Sequence, residues 1–152
     1  MIRVRHEEYD SFTGALPFSL GLNLERTPHN CSQEQNWHEN LELQHITYGN
    51  GTVLLDGKAY SVKPGDICLV NSNEIHYTYT DTKLRYNCLI IDTAWCRQMG
   101  IHYESLSFSP KLNSQRIEKM LASLEEAYSD TENPLRIAKC SQILLSVIIE
   151  LI

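Results

Sequence analysis

The chain has 152 residues, a length typical of one domain with a core of its own. Hydrophobic residues make up 42% of the sequence and charged residues 21%, a composition that excludes the disordered, collagen-like and membrane-embedded classes. The formal net charge is −6 and no Lys or Arg cluster is present, so these residues are not expected to neutralise nucleic acid phosphates themselves.

The sequence contains no targeting or membrane-spanning segment. Its first residues include no apolar signal core, and the longest apolar run is far shorter than the roughly 20 residues of a membrane span. We therefore expect a cytoplasmic protein without membrane contact. The cysteines are odd in number, scattered and never arranged as CxxC, which indicates buried thiols rather than disulfides or a cysteine zinc site; they are Cys31, Cys68, Cys88, Cys96 and Cys140.

Short apolar runs separated by turns fill the first 110 residues. They predict strands at 18–25, 41–48, 53–55, 59–62, 67–70, 75–79 and 86–91. Asp56-Gly57 predicts a two-residue hairpin, because both central positions of a type I′ turn need positive φ. Pro64 and Gly65 mark the next turn. Many short strands without intervening helices predict an antiparallel sandwich or barrel.

After Pro110 the apolar period becomes helical. The first predicted helix follows Ser114, a plausible N-cap, and the second opens at Asn133-Pro134 with proline in its first turn. The end of the second helix, 143–152, is apolar nearly all round, so it must bury more than one face. We expect packing on the barrel and on a second copy of the chain, with these dimerisation residues: Leu144, Val147, Ile148 and Leu151.

That helix also stops without a glycine, a cap or a polar tail. We therefore expect the chain to be part of a longer protein. The alternative is a natural helix end packed against a partner.

Polar residues recur on one face of the strand predicted at 41–48. His38, Glu42, Gln44 and Tyr48 share a parity with Ile46, if the extended conformation starts at His38. Burying Glu and Gln without partners costs several kcal/mol, so they must be solvated, paired or bound to something. Two interpretations stay open, a ligand pocket lined by these groups and a solvated barrel mouth. His45 has the opposite parity and is expected to face outward.

A longer pattern contains these residues. The run "WHENLEL…GNGTVLLDGKAYSVKPGDICLVNSNEIH", ending at His76, resembles the two motifs of the cupin superfamily and, more narrowly, the sensor domain of AraC-type transcription regulators. The resemblance spans about 36–91 and continues weakly through the helices. It implies a cupin (double-stranded β-helix, jelly-roll) barrel followed by two α-helices.

In domain terms, the resemblance implies an effector-binding barrel with an N-terminal arm at 1–110 and a helical dimerisation segment at 111–152. A helix-turn-helix DNA-binding domain is expected beyond 152. The effector would be a small molecule, with a carbohydrate as one candidate, since one branch of the family senses sugars.

The resemblance also assigns roles to individual positions. Metal-bearing cupins place ligands where this sequence has Asn36, His38, Glu42 and His76, and Asn36 stands where histidine is usual. No cofactor is therefore expected as the main interpretation, and a divalent metal on His38, Glu42 and His76 is the alternative. Effector-contacting positions of sugar-sensing relatives fall near Tyr48, Thr78, Asn87 and Leu89, with Tyr48 in place of the arabinose sensor's arginine.

A few other residues are less specific. Trp37 is either an aromatic floor for a ligand or a cap on the barrel mouth. The stretch at 12–17 is either an arm that folds over the pocket or a first strand and loop. His6, His29 and His102 are expected to be surface histidines.

Three functions remain in view. The first, and the one we favour, is a non-enzymatic sensor whose effector shifts the arm or the helices and so changes how attached DNA-binding domains are presented. The second is a small metal-dependent cupin enzyme, an oxygenase or isomerase. The third is a dimerisation module with a vestigial pocket.

Overall fold

The computed structural model describes residues 3–9, 15–31 and 34–152. Within these residues, strands fill the first three quarters of the chain and helices follow. The strands are β1 (Arg3–His6), β2 (Phe18–Arg26), β3 (Glu34–Trp37), β4 (Leu41–Gly49), β5 (Gly51–Leu55), β6 (Lys58–Val62), β7 (Ile67–Val70), β8 (His76–Tyr79), β9 (Leu84–Ile91) and β10 (Lys111–Leu112). The helices are α1 (Thr93–Gln98), α2 (Gln115–Ser129) and α3 (Arg136–Leu151), with a short 3-10 turn at Tyr103–Ser105.

The strands form two five-stranded sheets, in the orders β1-β3-β8-β5-β6 and β10-β7-β4-β9-β2. All pairings are antiparallel except that of β1 with β3, which is parallel. The predicted fold class, mainly β with C-terminal helices, is confirmed. Strands β1, β3 and β10 and helix α1 are additional to the predicted elements.

Two turns depend on glycine. Asp56 and Gly57 have φ of 44° and 81°, which fits the predicted type I′ hairpin between β5 and β6. Gly49 closes β4 with φ of 75°, and a Cβ there would overlap the carbonyl oxygen of Lys83. Gly49 is therefore required both by its backbone conformation and by the close approach of the neighbouring chain.

Apolar side chains form two cores, one on each face of the second sheet. The inner core lies between the sheets and includes Ile46, Val53, Val70, Tyr86 and Ile90. The outer core lies between the second sheet and the helices, and its members come from alternate positions of the same strands together with α2 and α3, including Leu41, Leu43, Leu69, Leu89, Ile91, Leu121, Leu124 and Leu144. In β4, Leu41 and Leu43 therefore face the outer core, while Glu42 and Gln44 face the space between the sheets.

Helix α2 begins as predicted, with the Ser114 hydroxyl accepting a hydrogen bond from the amide of Ile117 at 3.4 Å. Helix α3 begins at Arg136, two residues after Pro134, because a turn held by Asn133 precedes it. In the described part of the chain, no helix is long and apolar enough to cross a membrane.

The four predicted dimerisation residues do not form an accessible surface, so that prediction is wrong. Leu144, Val147 and Ile148 are fully buried within the chain, and Leu151 packs against the same outer core. The sequence of α3 is apolar on all sides, which indicates that two faces must be covered. It does not indicate which face packs on the barrel. The outward face is what we call the outer stripe, whose members follow a four-three spacing: Ala138, Gln142, Leu145, Ile149 and Ile152.

Candidate functional site

A cavity of about 210 Å³ lies between the two sheets. Its lining is predominantly polar, with three carboxylates, several amides and hydroxyls, and one arginine: Glu7, Tyr9, Leu24, Arg26, Asn30, Glu34, Asn36, Glu42, Gln44, His76, Tyr77, Thr78, Tyr86 and Cys88. A pocket for a drug-sized ligand measures roughly 300–1,000 Å³. The volume therefore suits a smaller molecule.

Strand register explains why polar groups enter the cavity. Glu42 pairs with Ile90 and Gln44 with Cys88, and all four lie on the inner face of the second sheet. His76 and Thr78 reach the cavity from β8 in the first sheet. The structure thus brings Glu42 and Gln44, whose shared parity predicts one face, together with His76 and Thr78, and His38 lies fully buried beside them.

Hydrogen bonds join these side chains into one network around Glu42. The Thr78 hydroxyl donates to Gln44 Oε1 at 2.7 Å, and Gln44 Nε2 donates to Glu42 Oε1 at 2.7 Å. Cys88 Sγ donates to the same oxygen at 3.2 Å, while His38 Nε2 lies 2.8 Å from Glu42 Oε2. The buried polar residues predicted to need partners therefore have them.

Burial and charge act in opposite directions on the two central groups. Burial alone would raise the pKa of Glu42, but the hydrogen bond from His38 and the charges of His76 and His38 outweigh it and hold that pKa at about 2. Burial alone would lower the pKa of His38, yet its hydrogen bond to Glu42 and the charges of Glu42 and Glu7 raise it above its ordinary value. Glu42 is therefore held as an anion, with the His38 imidazole as its hydrogen-bond partner.

Tyr48 does not point into the barrel, contrary to the parity expectation. A bulge in β4 sets Ile46 opposite Tyr86 but Tyr48 opposite Arg85, so one residue is inserted and the alternation reverses. The Tyr48 ring is 54% exposed and lies under the Arg85 guanidinium, 5.5 Å from it. The expected inward position of Tyr48 is therefore wrong.

Asn87 and Leu89, expected near an effector from the resemblance, also lie away from the cavity. Their register partners are His45 and Leu43, so both face the helices. Asn87 Nδ2 donates to Glu125 Oε1 at 2.7 Å, and Leu89 belongs to the outer core. Both line a void of about 10 Å³ under α2, which has room for at most about one water.

The N-terminal strand supplies wall residues that the sequence did not indicate. Glu7 follows β1, and its carboxylate accepts hydrogen bonds from Asn36 Nδ2 at 2.8 Å and from the Tyr9 hydroxyl at 3.0 Å. The Tyr9 ring packs edge-on against His38, with centroids 5.4 Å apart. No local pattern marks residues 3–9 as a strand, and only the parallel pairing with β3 brings them here. The predicted arm lies partly outside the described residues, at 12–14.

The remaining residues singled out from the sequence lie outside the cavity. Trp37 contacts His6, with ring centroids 4.3 Å apart, rather than forming a cavity floor. His6, expected to be a surface histidine, is half-buried and also contacts Glu39 at 3.0 Å. His45 faces the helices and lies 3.3 Å from Glu118, while His29 and His102 are exposed.

Comparison with known proteins places the chain in a family. The model of the AraC-like ligand binding domain matches residues 24–147. The chain belongs to this family. A search of curated proteins finds no match.

Solved structures similar to this AraC-like domain include several cupins. A predicted oxalate decarboxylase from Thermotoga maritima is 30% identical over 36% of this chain and 50% of its own, with a TM-score of 0.34. A Cupin 2 conserved barrel domain protein from Salinispora arenicola is 16% identical over 59% and 76%, with a TM-score of 0.40. An RmlC-like cupin from Shewanella frigidimarina is 14% identical over 49% and 66%, also at 0.40. The chain thus spans half the length of the Thermotoga protein.

The AraC-like domain also brings metal-ligating groups together. Ligand atoms of Glu7, His38 and His76 all lie within 4.8 Å of one another. His76 Nε2 is 3.5 Å from Glu42 Oε2, so Glu42 contacts both imidazoles. Asn36, at the position where cupins usually carry a further histidine, orients Glu7 instead. Imidazole and carboxylate donors fit a divalent transition metal.

Proposed function

We propose that this chain is the effector-sensing and dimerisation domain of a bacterial AraC-type transcription regulator that acts in the cytoplasm. The observation that carries the proposal is a polar cavity between the two sheets of a domain of the AraC-like ligand binding family. A DNA-binding domain attached to this chain would supply the contact with DNA. The chain itself senses and does not catalyse.

The chemistry of the cavity favours a small polyhydroxylated effector, such as a carbohydrate. Carboxylate, amide and hydroxyl groups from both sheets offer acceptors and donors to hydroxyl groups. The rings of Tyr9, Tyr77 and Tyr86 supply apolar faces beside them. A few placed polar groups then fix the orientation of the ligand, as in most small-molecule sites.

Two elements are placed to relay binding. Glu7 and Tyr9 connect the cavity to β1, and α2 packs on the outer face of the strands whose inner face lines the cavity. An effector shifts such elements only by its differential affinity for two arrangements, worth about 1 to 3 kcal/mol of coupling. In the proposal, residues 1–110 bind the effector and 111–152 form a homodimer through the outer stripe of α3.

Thermal unfolding in the presence of a sugar library tests the proposal. A true effector at about 100 times its Kd adds about 2.7 kcal/mol, which raises Tm by about 5 to 10 °C. Gln44→Leu removes a cavity amide and is expected to abolish the shift. Tyr48→Ala, on an exposed residue outside the cavity, is the control and should retain it. Loss of the shift in Tyr48→Ala alone would contradict the placement of the site.

A metal-dependent cupin enzyme is the second candidate, favoured by the convergence of His38, His76 and Glu42. Turnover of a small oxygen-rich substrate by metal-loaded protein, lost in His76→Ala, would support it. A coding sequence that continues beyond Ile152 into a basic helix-turn-helix would support the regulator instead. If no compound raises Tm and no substrate is turned over, the chain would be a dimerisation module.

A further inference from the structure

A bulge in β2 determines which of its side chains reach the cavity. In a regular strand Leu20, Leu24 and Arg26 would share one face, because side chains alternate along the strand. Leu20 packs against the outer core, whereas Leu24 and Arg26 line the cavity. Between the paired positions of Leu20 and Leu24, β2 contains one residue more than β9, and this extra residue reverses the alternation. The bulge therefore turns Leu24 and Arg26 inward.

The side chain of Asn87 holds this bulge from the neighbouring strand. Asn87 lies in β9 opposite two residues of β2, Leu22 and Asn23. Its Oδ1 accepts a hydrogen bond from the backbone amide of Asn23 at 2.8 Å, and Asn23 has a left-handed φ of 54°. A bulge leaves its extra residue without a partner in the backbone ladder, so a side chain that supplies a partner stabilises it.

The same amide group contacts helix α2. Asn87 Nδ2 donates a hydrogen bond to Glu125 Oε1 at 2.7 Å. Because Oδ1 faces a donor and Nδ2 faces a carboxylate, only one orientation of the amide satisfies both partners. Asn87 is 8% exposed, so water cannot readily replace either partner. Loss of the Glu125 acceptor would therefore free the amide to rotate away from Asn23.

The contact with Glu125 positions α2 in a way that its apolar packing does not. Burial of apolar side chains has no preferred direction, and a void of about 10 Å³ lies beside Asn87 and Glu125 under α2. A hydrogen bond to a carboxylate is both directional and strong. Nearer the start of α2, Glu118 contacts His45 of β4 at 3.3 Å. Polar contacts therefore connect α2 to two strands that line the cavity.

We propose that Asn87 is a positioning residue of the cavity: it holds the bulge that directs Leu24 and Arg26 inward, and Glu125 keeps its amide in place. Asn87 acts from the helix side of the sheet, outside the cavity. Movement of the β2 wall and movement of α2 are therefore coupled, with the same coupling free energy in both directions. The use of this coupling in sensing rests on the proposed function, whereas the coupling itself needs no effector.

Hydrogen exchange at the Asn23 amide, followed by NMR, tests the proposal without an effector. Glu125→Ala removes the acceptor from α2, and exchange at Asn23 should become at least about 10-fold faster as its partner rotates away. Glu125→Gln keeps an acceptor oxygen and should restore exchange to within about 3-fold of the unmodified chain. Glu126→Ala removes the same group from the adjacent exposed position and, as the matched control, should stay within about 2-fold. Exchange in β4, the central strand of the second sheet, should stay unchanged in all three variants.

Modification of Cys88 by iodoacetamide, followed by mass spectrometry of its peptide, tests the effect on the cavity. Cys88 lines the cavity, whereas Cys140 is buried in the outer core and reports overall unfolding. In Glu125→Ala the rate at Cys88 should rise at least about 5-fold relative to the rate at Cys140, because the cavity wall opens locally. Glu126→Ala should leave the ratio of the two rates unchanged.

Unchanged exchange at Asn23 in Glu125→Ala would overturn the role of Asn87. Equal acceleration at Cys88 and Cys140 would also overturn it, because Glu125 would then only stabilise the fold. Failure of Glu125→Gln to restore slow exchange would have the same meaning. The sugar library separates these results from the sensing proposal, since a sugar that raises Tm of the unmodified chain would support sensing even if the role of Asn87 is overturned.

Discussion

At the residue scale, the organising group is the Glu42 carboxylate. It is buried to 3% exposure and satisfied by Gln44, Cys88 and His38. Removing one partner of such a network costs more than its hydrogen bond is worth, because the other partner stays buried and unpaired. The hydrogen bond from Thr78 to Gln44 can be removed without changing any charged group, so it allows this cost to be measured.

Thr78→Val replaces the hydroxyl that donates to Gln44 Oε1 by a methyl group of similar size. We expect the free energy of unfolding to fall by about 1 to 3 kcal/mol, because the buried amide oxygen loses its donor. Urea denaturation measures it. Thr82→Val, at an exposed turn position, is the control and should change stability by less than about 0.5 kcal/mol. Equal effects of the two variants would mean that the network does not stabilise the barrel.

Strand parity predicted the cavity residues of β4 correctly only up to the bulge, because side chains alternate between the two faces only in a regular strand. It placed Glu42 and Gln44 correctly and failed at Tyr48, because a single inserted residue leaves no mark in the sequence. Asn87 and Leu89 came from the resemblance alone, and their register shows that they face the helices while Cys88 between them faces the cavity. Glu7 escaped prediction because its position depends on a pairing between distant segments.

At the element scale, α3 has two faces with different roles. One face is the outer core, with Leu144 fully buried. The other is the outer stripe, on which Ile149 is 64% and Ile152 68% exposed. Exposed apolar side chains on one face of a helix are typical of a helix pair between chains. Sequence periodicity predicted both helices, yet the choice between the faces required the barrel surface that α3 covers.

Charge on each face of α3 should have a different consequence. Ile149→Glu places a carboxylate on the outer stripe and is expected to convert dimer to folded monomer, as measured by sedimentation velocity and circular dichroism. Leu144→Glu buries an unpaired charge and is expected to leave the chain unfolded or insoluble.

Lys139→Glu, on an exposed α3 position away from the stripe, is the control for added negative charge and should remain a dimer. A dimer that persists in folded Ile149→Glu would show that the chains associate elsewhere.

At the scale of the whole molecule, the charge of the chain argues against direct contact with DNA. The chain has 13 Lys and Arg against 19 Asp and Glu, and no cluster of basic residues occurs along the sequence. Non-specific DNA binding depends on releasing counterions from phosphates, which requires several positive side chains on one face. We therefore expect these 152 residues not to bind DNA by themselves.

Fluorescence anisotropy with a labelled random duplex checks this expectation. The 152-residue chain should show no measurable binding at about 50 mM salt, where phosphate contacts are strongest. Addition of an effector should not change this. Binding that weakens as salt is added would reveal a basic surface formed by the fold and would contradict the expectation.

The weak pairing of β1 and β3 with β8, at the edge of the first sheet, should affect how fast a ligand enters the cavity. Among the described residues, β1 pairs only with β3, and β3 is joined to β8 through a single register pair, Asn36 with His76. Separation of β1 and β3 from β8 breaks few hydrogen bonds and leaves the second sheet intact. Its free energy is therefore much smaller than that of global unfolding. We therefore expect β1 to open as a gate, and association rates to level off at high effector concentration, where opening becomes limiting.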